Sequence, residues 1–226
     1  MRIPIDPDTL PFDPEFEAQR GPAIDAARLT PQALRARFLE PRAWRVEQGG
    51  DGDLFAPDQP LRPAAVLIAL LERGDGLQVL FTVRSSRLQD HAGQISFPGG
   101  RLEPGEVSAV DAALREAHEE IRLEHALVEV LGTMPQYLTI SGYRVVPVVG
   151  LIGPGAELHA DPLEVEEYFE VPLSFLMNGA NHQRRVVLQD GRRRCVYSME
   201  YFGRRRYLIW GATAAMLRNL YRFLLA

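Results

Sequence analysis

Glu119 and Glu120 follow Glu116 by three and four residues, so on a helix all three carboxylates share one face. Like charges at that spacing destabilise an isolated helix. A hard divalent cation removes the repulsion, because Mg2+ or Mn2+ takes oxygen ligands while keeping several waters. The competing reading is a solvated acidic face with no metal. The upstream residues weigh against it. Gly99-Gly100, after Phe97-Pro98, allows close backbone approach and leaves a carbonyl free for an ion. Glu103 and Glu106 lie in the intervening loop, and Arg115 abuts the carboxylates. A glycine turn feeding a helix of stacked carboxylates predicts a metal–diphosphate site, in which the ion neutralises phosphate oxygens and activates a water.

That chemistry needs a scaffold to hold it. Val110, Ala113, Leu114, Ala117 and Ile121 form one apolar stripe, with Ser108 as N-cap and Asp111 three residues on, in a variant of the capping box. Ala64 to Leu71 is a continuous apolar run that predicts a buried strand. The turn Gly74-Asp75-Gly76 and the run Leu77 to Arg84 complete a hairpin. Residues 85–96 read as a loop. Further strands are expected over 128–134, 143–152, 186–188, 194–199 and 206–208, a helical turn over 172–177 and an amphipathic closing helix over 211–225. Mixed elements without βαβ alternation predict an α+β fold. Residues 1–60, rich in Pro, Asp and Gly, read as a peripheral arm with one short helix near Thr30–Glu40, and residues 61–226 as the main domain.

Composition narrows the classes. With 226 residues and 46% hydrophobic content, the chain can bury a sizeable core. The net charge of −5 argues against nucleic acid as partner. The longest apolar run is too short to span a bilayer, and the first residues lack a signal-peptide core, so a cytoplasmic protein without membrane association is expected. The single cysteine, Cys195, excludes an internal disulfide and reads as a strand residue. All 25 basic residues are arginine, the better fork for phosphates. The closing helix and the arm both offer surfaces for a homodimer.

Gly100 to Leu123 resembles the Nudix box through Gly100, Glu106, Arg115, Glu116, Ala117, Glu119, Glu120 and Leu123. Eight residues separate Glu106 from Arg115 where the pattern has seven, and Arg122 stands where glycine is usual. Leu80 to Ser85, Gly93 and Phe97 to Gly100 are similar to the signature of the coenzyme A pyrophosphatase branch, which often carries the extra residue. Gln89 departs from it, standing where that branch has a basic residue. The resemblance implies a Nudix fold, a mixed sheet between helices, and hydrolysis of a small-molecule diphosphate with Mg2+ or Mn2+. For coenzyme A the products are a phosphopantetheine and adenosine 3′,5′-bisphosphate. Metal ligands would be Glu116 and Glu120, with Glu119 and the Gly100 carbonyl. Arg115 would orient a carboxylate. General-base candidates are Glu119 and, in an acidic loop before Val171, Glu164 and Glu167. Arg84, Arg87 and Arg101 would hold phosphates, and His91 would touch substrate. The alternatives are another diphosphate substrate, such as ADP-ribose or a dinucleotide, and a non-catalytic ligand-binding Nudix regulator.

Overall fold

In the computed structural model the described residues are 6–47, 61–87, 93–139, 141–189 and 192–226. Strand β1 (Arg62–Arg73) explains its own apolar run, because both of its faces are covered. Ala65, Leu67, Ala69 and Leu71 face one core, and Ala64, Ile68 and Leu70 face another. Strand β2 (Gly76–Arg84) returns antiparallel, with Arg73 opposite Gly76. The chain then forms β3 (Ile95–Ser96) and β4 (Gly99–Arg101), which pair with β2 and β1 respectively. Strands β5 (Val128–Thr133) and β6 (Tyr137–Leu138) both pair with β7 (Tyr143–Ile152), which runs parallel to β1 from Arg62↔Tyr143 to Leu71↔Ile152.

Two helices flank this mixed sheet. Helix α1 (Pro31–Leu39) starts where expected, Thr30 Oγ1 accepting from the Ala33 N–H. Helix α2 (Ala109–Ile121) is capped by Ser108, whose Oγ accepts from the Asp111 N–H at 3.2 Å. It lays Ala112, Ala113, Ala117 and Ile121 on the first core. Against the opposite face pack α4 (Ala212–Leu225) and the antiparallel meander β9 (Gln183–Gln189), β10 (Arg192–Phe202) and β11 (Arg206–Trp210). The fold is α+β, as the mixed pattern predicts. Among the described residues, no helix is long and apolar enough to cross a membrane.

Three expectations differ from the structure. Residues 85–96 are not all loop, since β3 pairs with β2 at their end. The acidic run 164–167 is not a loop throughout: strand β8 (Val165–Pro172) pairs antiparallel with β2 and leads into the short helix α3 (Leu173–Leu176). Its register shifts between Val83 and Arg84. The N-terminal segment is not confined to the periphery, since Phe16, Ile24, Leu29 and Leu34 are buried in the larger core. The buried Arg218 of α4 donates to the carbonyls of Gln19 and Arg20 and to the Glu47 carboxylate. These anchors are single side chains between Pro- and Asp-capped turns, so no periodicity marks them.

Candidate active site

The carboxylate helix lies against the glycine strand because β4 is held in the sheet. Gly99 and Gly100 pair with Val66 and Ala65, and the Leu67 N–H donates to the Pro98 carbonyl at 2.8 Å. Gly99 has φ +152, and a Cβ there would lie 2.4 Å from the Ala65 carbonyl oxygen. A Cβ on Gly100 would lie 2.4 Å from the Glu116 carboxyl carbon. The two glycines therefore make room for distinct things: the neighbouring strand at Gly99 and the Glu116 carboxylate at Gly100.

Arg115 ties the cluster together. Its Nε and Nη2 grip Glu106 at 3.0 and 3.2 Å, and Nη1 reaches Glu116 at 3.1 Å and Glu119 at 2.9 Å. Nη2 also donates to the Arg101 carbonyl at 3.1 Å. Glu106, the residue before the extra position, is thus a partner of Arg115, which holds its carboxyl below the usual range.

Glu120 is only 3% exposed. Burial pushes its carboxyl up to about 8, Arg84 opposing and the charges of Glu116 and Glu164 adding to the shift. The compensation within the protein is thin: the Arg84 guanidinium is 3.9 Å away and the Gly99 N–H donates at 3.4 Å. Burial likewise raises Glu116, against the pull of Arg115. A buried Glu120 with little counter-charge and a half-buried Glu116 shared with Arg115, both beside a glycine backbone, form a donor set that fits a divalent cation. Among the described residues no three acidic or histidine side chains enclose an ion by themselves. Mg2+ does not require that, since it is usually bound through one or two carboxylates with waters and substrate phosphate. Glu119 has a half-exposed side chain turned to Arg115.

The remaining candidates separate. Glu164 lies close enough to raise both Glu116 and Glu120, and its carbonyl accepts from the Ser85 N–H at 2.8 Å. Glu167 pairs with Val83, one residue before Arg84, and so sits on the opposite face of the sheet. There its carboxylate takes hydrogen bonds from Arg205 at 2.8 Å and from the Tyr207 hydroxyl at 2.5 Å. Burial would raise Glu167, but these donors more than offset it and hold its carboxyl low. That geometry removes Glu167 from the general-base candidates. Arg84 carries a buried Nε with no acceptor among the described residues. Arg87 is exposed. Arg101 points away from the carboxylates, its Nε donating to the Tyr143 hydroxyl at 2.7 Å. His91, like Gln89, lies outside the described residues.

Residue spacing did not single out Arg62 or Tyr143, which β1 and β7 bring beside Arg101. Only the parallel register of those strands reveals them. Arg122 ends α2 in the left-handed region at φ 56, the conformation that glycine would take there without strain. The N–H groups of His159 and Asp161 donate to the last carbonyls of α2, those of Ile121 and Glu120, each at 2.9 Å.

Comparison with known proteins identifies the family. Residues 60–189 match the NUDIX domain. A protein of Photorhabdus laumondii, described as an uncharacterized Nudix hydrolase NudL, is 40% identical over 159 residues, covering 70% of this chain and 83% of its own length. The NudL of Escherichia coli K12 is 39% identical over 160 residues, covering 70% of this chain and 81% of its own. Among solved structures, the MutT protein from Methanosarcina mazei Go1 matches with a TM-score of 0.43 at 23% identity, covering 54% of this chain and 84% of its own. With a domain match across more than half of its length, and relatives this similar over most of theirs, the chain belongs to the Nudix family and is a pyrophosphohydrolase.

Proposed function

We propose that the chain hydrolyses the diphosphate of coenzyme A or one of its derivatives, releasing a phosphopantetheine and adenosine 3′,5′-bisphosphate. The observation that carries the chemistry is the buried, under-compensated Glu120 beside the half-buried Glu116 that packs against Gly100. Both carboxylates would hold Mg2+ or Mn2+ with the Gly100 carbonyl. The bound ion would neutralise phosphate oxygens and lower the pKa of a water. Arg115 keeps Glu116 and Glu119 oriented through its grip on Glu106. Arg84, whose Nε has no acceptor among the described residues, would offer it to a phosphate oxygen. Glu164 or Glu119 would take the proton of the attacking water as its oxygen bonds to phosphorus and the bridging P–O bond breaks. Glu164 is the better base, because Glu119 is already bound by Arg115.

The coenzyme A assignment rests on the segment from Leu80 to Gly100. Gln89 favours the second reading, ADP-ribose or a dinucleotide, because it replaces a basic residue of the coenzyme A branch. Initial rates on coenzyme A, acyl-coenzyme A, ADP-ribose and NADH, each with Mg2+ or Mn2+, test both. Coenzyme A compounds are expected to turn over fastest, and ADP-ribose cleaved as fast as coenzyme A overturns the assignment. Glu164→Gln is expected to lower kcat by about 100-fold or more. An unchanged kcat transfers the role to Glu119.

A further inference from the structure

We infer that Arg62 and Arg101, gathered over the ring of Tyr143, form an anion subsite that takes a phosphomonoester of the substrate lying outside the scissile diphosphate. The two guanidiniums lie 4.0 and 5.3 Å from the Tyr143 ring centroid. Their placement is set by backbone pairing: Arg62 is opposite Tyr143 in the parallel β1–β7 ladder, and Arg101 is opposite Ala64 in the β1–β4 ladder. The Arg101 Nε donates to the Tyr143 hydroxyl at 2.7 Å, and one amino group of Arg62 donates to the Ser141 carbonyl at 2.9 Å.

Two like charges around one ring repel, and the ring faces offset this only in part. In a chain with 30 acidic and 25 basic residues, a carboxylate would be the ordinary remedy. Arg35, Arg73, Arg115, Arg184, Arg205 and Arg206 all have one. Among the described residues, Arg62 and Arg101 have none within ion-pair distance, and no protein acceptor takes the terminal amino groups of Arg101. A guanidinium anchored through Nε with its amino fork open is arranged for a planar bidentate contact with a phosphate.

The location connects this patch to the chemistry. Arg101 directly follows Gly100, so their Cα atoms are about 3.8 Å apart, yet successive strand residues face opposite sides. Gly100 meets Glu116 on one side of β4, and the Arg101 side chain leaves from the other toward Tyr143. Arg115 bonds the Arg101 carbonyl and the Glu116 carboxylate together, which holds the two halves in register. A substrate whose diphosphate lies at Gly100 and which carries a further phosphate can reach both. This rests on the diphosphate-hydrolase reading of the same site, but it does not depend on the pantetheine half.

The test separates the two claims. Adenosine 3′,5′-bisphosphate and adenosine 5′-monophosphate are titrated calorimetrically, with Mg2+ present, into the wild type and into Arg62→Gln/Arg101→Gln. Both arginines are exposed, so the thermal midpoint serves as a check that the variant is folded. The wild type is expected to bind the bisphosphate about 10- to 100-fold more tightly, the range for a charge-assisted hydrogen bond. The variant is expected to bind both alike, with affinity for the monophosphate unchanged. In kinetics, KM for coenzyme A should rise in the variant while kcat holds, and dephospho-coenzyme A should be unaffected. A wild type that does not discriminate or binds neither compound, or a variant that loses affinity for both equally, overturns the subsite. Discrimination in a wild type that leaves coenzyme A intact keeps the subsite and overturns the coenzyme A reading.

Discussion

Glu120→Gln should make the metal-free protein more stable while abolishing its activity. The carboxyl is 3% exposed and its pKa in the fold is about 8, against an ordinary value of 4.5. A carboxyl raised by folding stabilises the fold only below its unfolded pKa. That contribution is lost as pH rises, because the unfolded state releases a proton the folded state keeps. At pH 7 the penalty is about 3 kcal/mol, from the 2.5 units between pH 7 and the ordinary value. Glutamine removes it, and its amide oxygen can still accept from the Gly99 N–H. Arg84, 3.9 Å away, loses its contact with the carboxyl. The net gain is then about 2 kcal/mol, or roughly 4–8 °C in the midpoint for a domain of this size. Thermal unfolding followed by circular dichroism with a chelator present reads this directly. Added Mg2+ should raise the wild-type midpoint and leave the variant nearly unmoved, because ligand binding stabilises only a fold that binds it. A metal-free variant less stable than the wild type would refute the reasoning, since Glu120 would then be well compensated without an ion.

Other perturbations probe the frame around that residue. Gly100→Ala puts a Cβ 2.4 Å from the Glu116 carboxyl carbon; displacing that group by about 1 Å should cost on the order of 100-fold in kcat, measured by initial rates with the midpoint as control. Arg122→Gly relieves a left-handed non-glycine residue at φ 56 and should stabilise by about 1 kcal/mol in urea unfolding. Buried His182 is driven down to about 4, and its neutral ring bonds to the Leu176 carbonyl at 2.6 Å. Its unfolded form takes up a proton first, so stability is full above about pH 6.5 and falls by on the order of 3 kcal/mol as pH drops to 4; His182→Gln should flatten that slope in urea midpoints taken across the window.

The parts of this molecule legible in its sequence are those set by local spacing. The carboxylate face of α2 follows from 3.6-residue periodicity, and its start from the Ser108 cap. The β1–β2 hairpin follows from an apolar run, a glycine turn and a second apolar run. What escaped depends on which distant strands meet. Strand β8 carries Glu166, Glu167 and Glu170 between its apolar residues, which reads as a loop until β2 supplies its ladder and β11, with the turn before it, supplies Tyr207 and Arg205. The same pairing separates two glutamates that looked equivalent. Glu164, just before the strand, stays beside the carboxylate cluster, and Glu167 is carried through the sheet to the other face.

The cluster itself also changed meaning once folded. Three glutamates at helical spacing suggest three equivalent ligands, but the protein assigns them unequal surroundings. Glu119 is half exposed and held by Arg115, Glu116 is partly buried over Gly100 and shares that arginine, and Glu120 is almost wholly buried with only a distant cation. Burial, not spacing, therefore ranks their demand for a metal, and the demand is greatest at Glu120. Arg115 compensates the outer two carboxylates and leaves the inner one wanting. The fold thus keeps α2 intact without an ion while placing its least compensated carboxyl at one point, against the glycine strand where a diphosphate would enter.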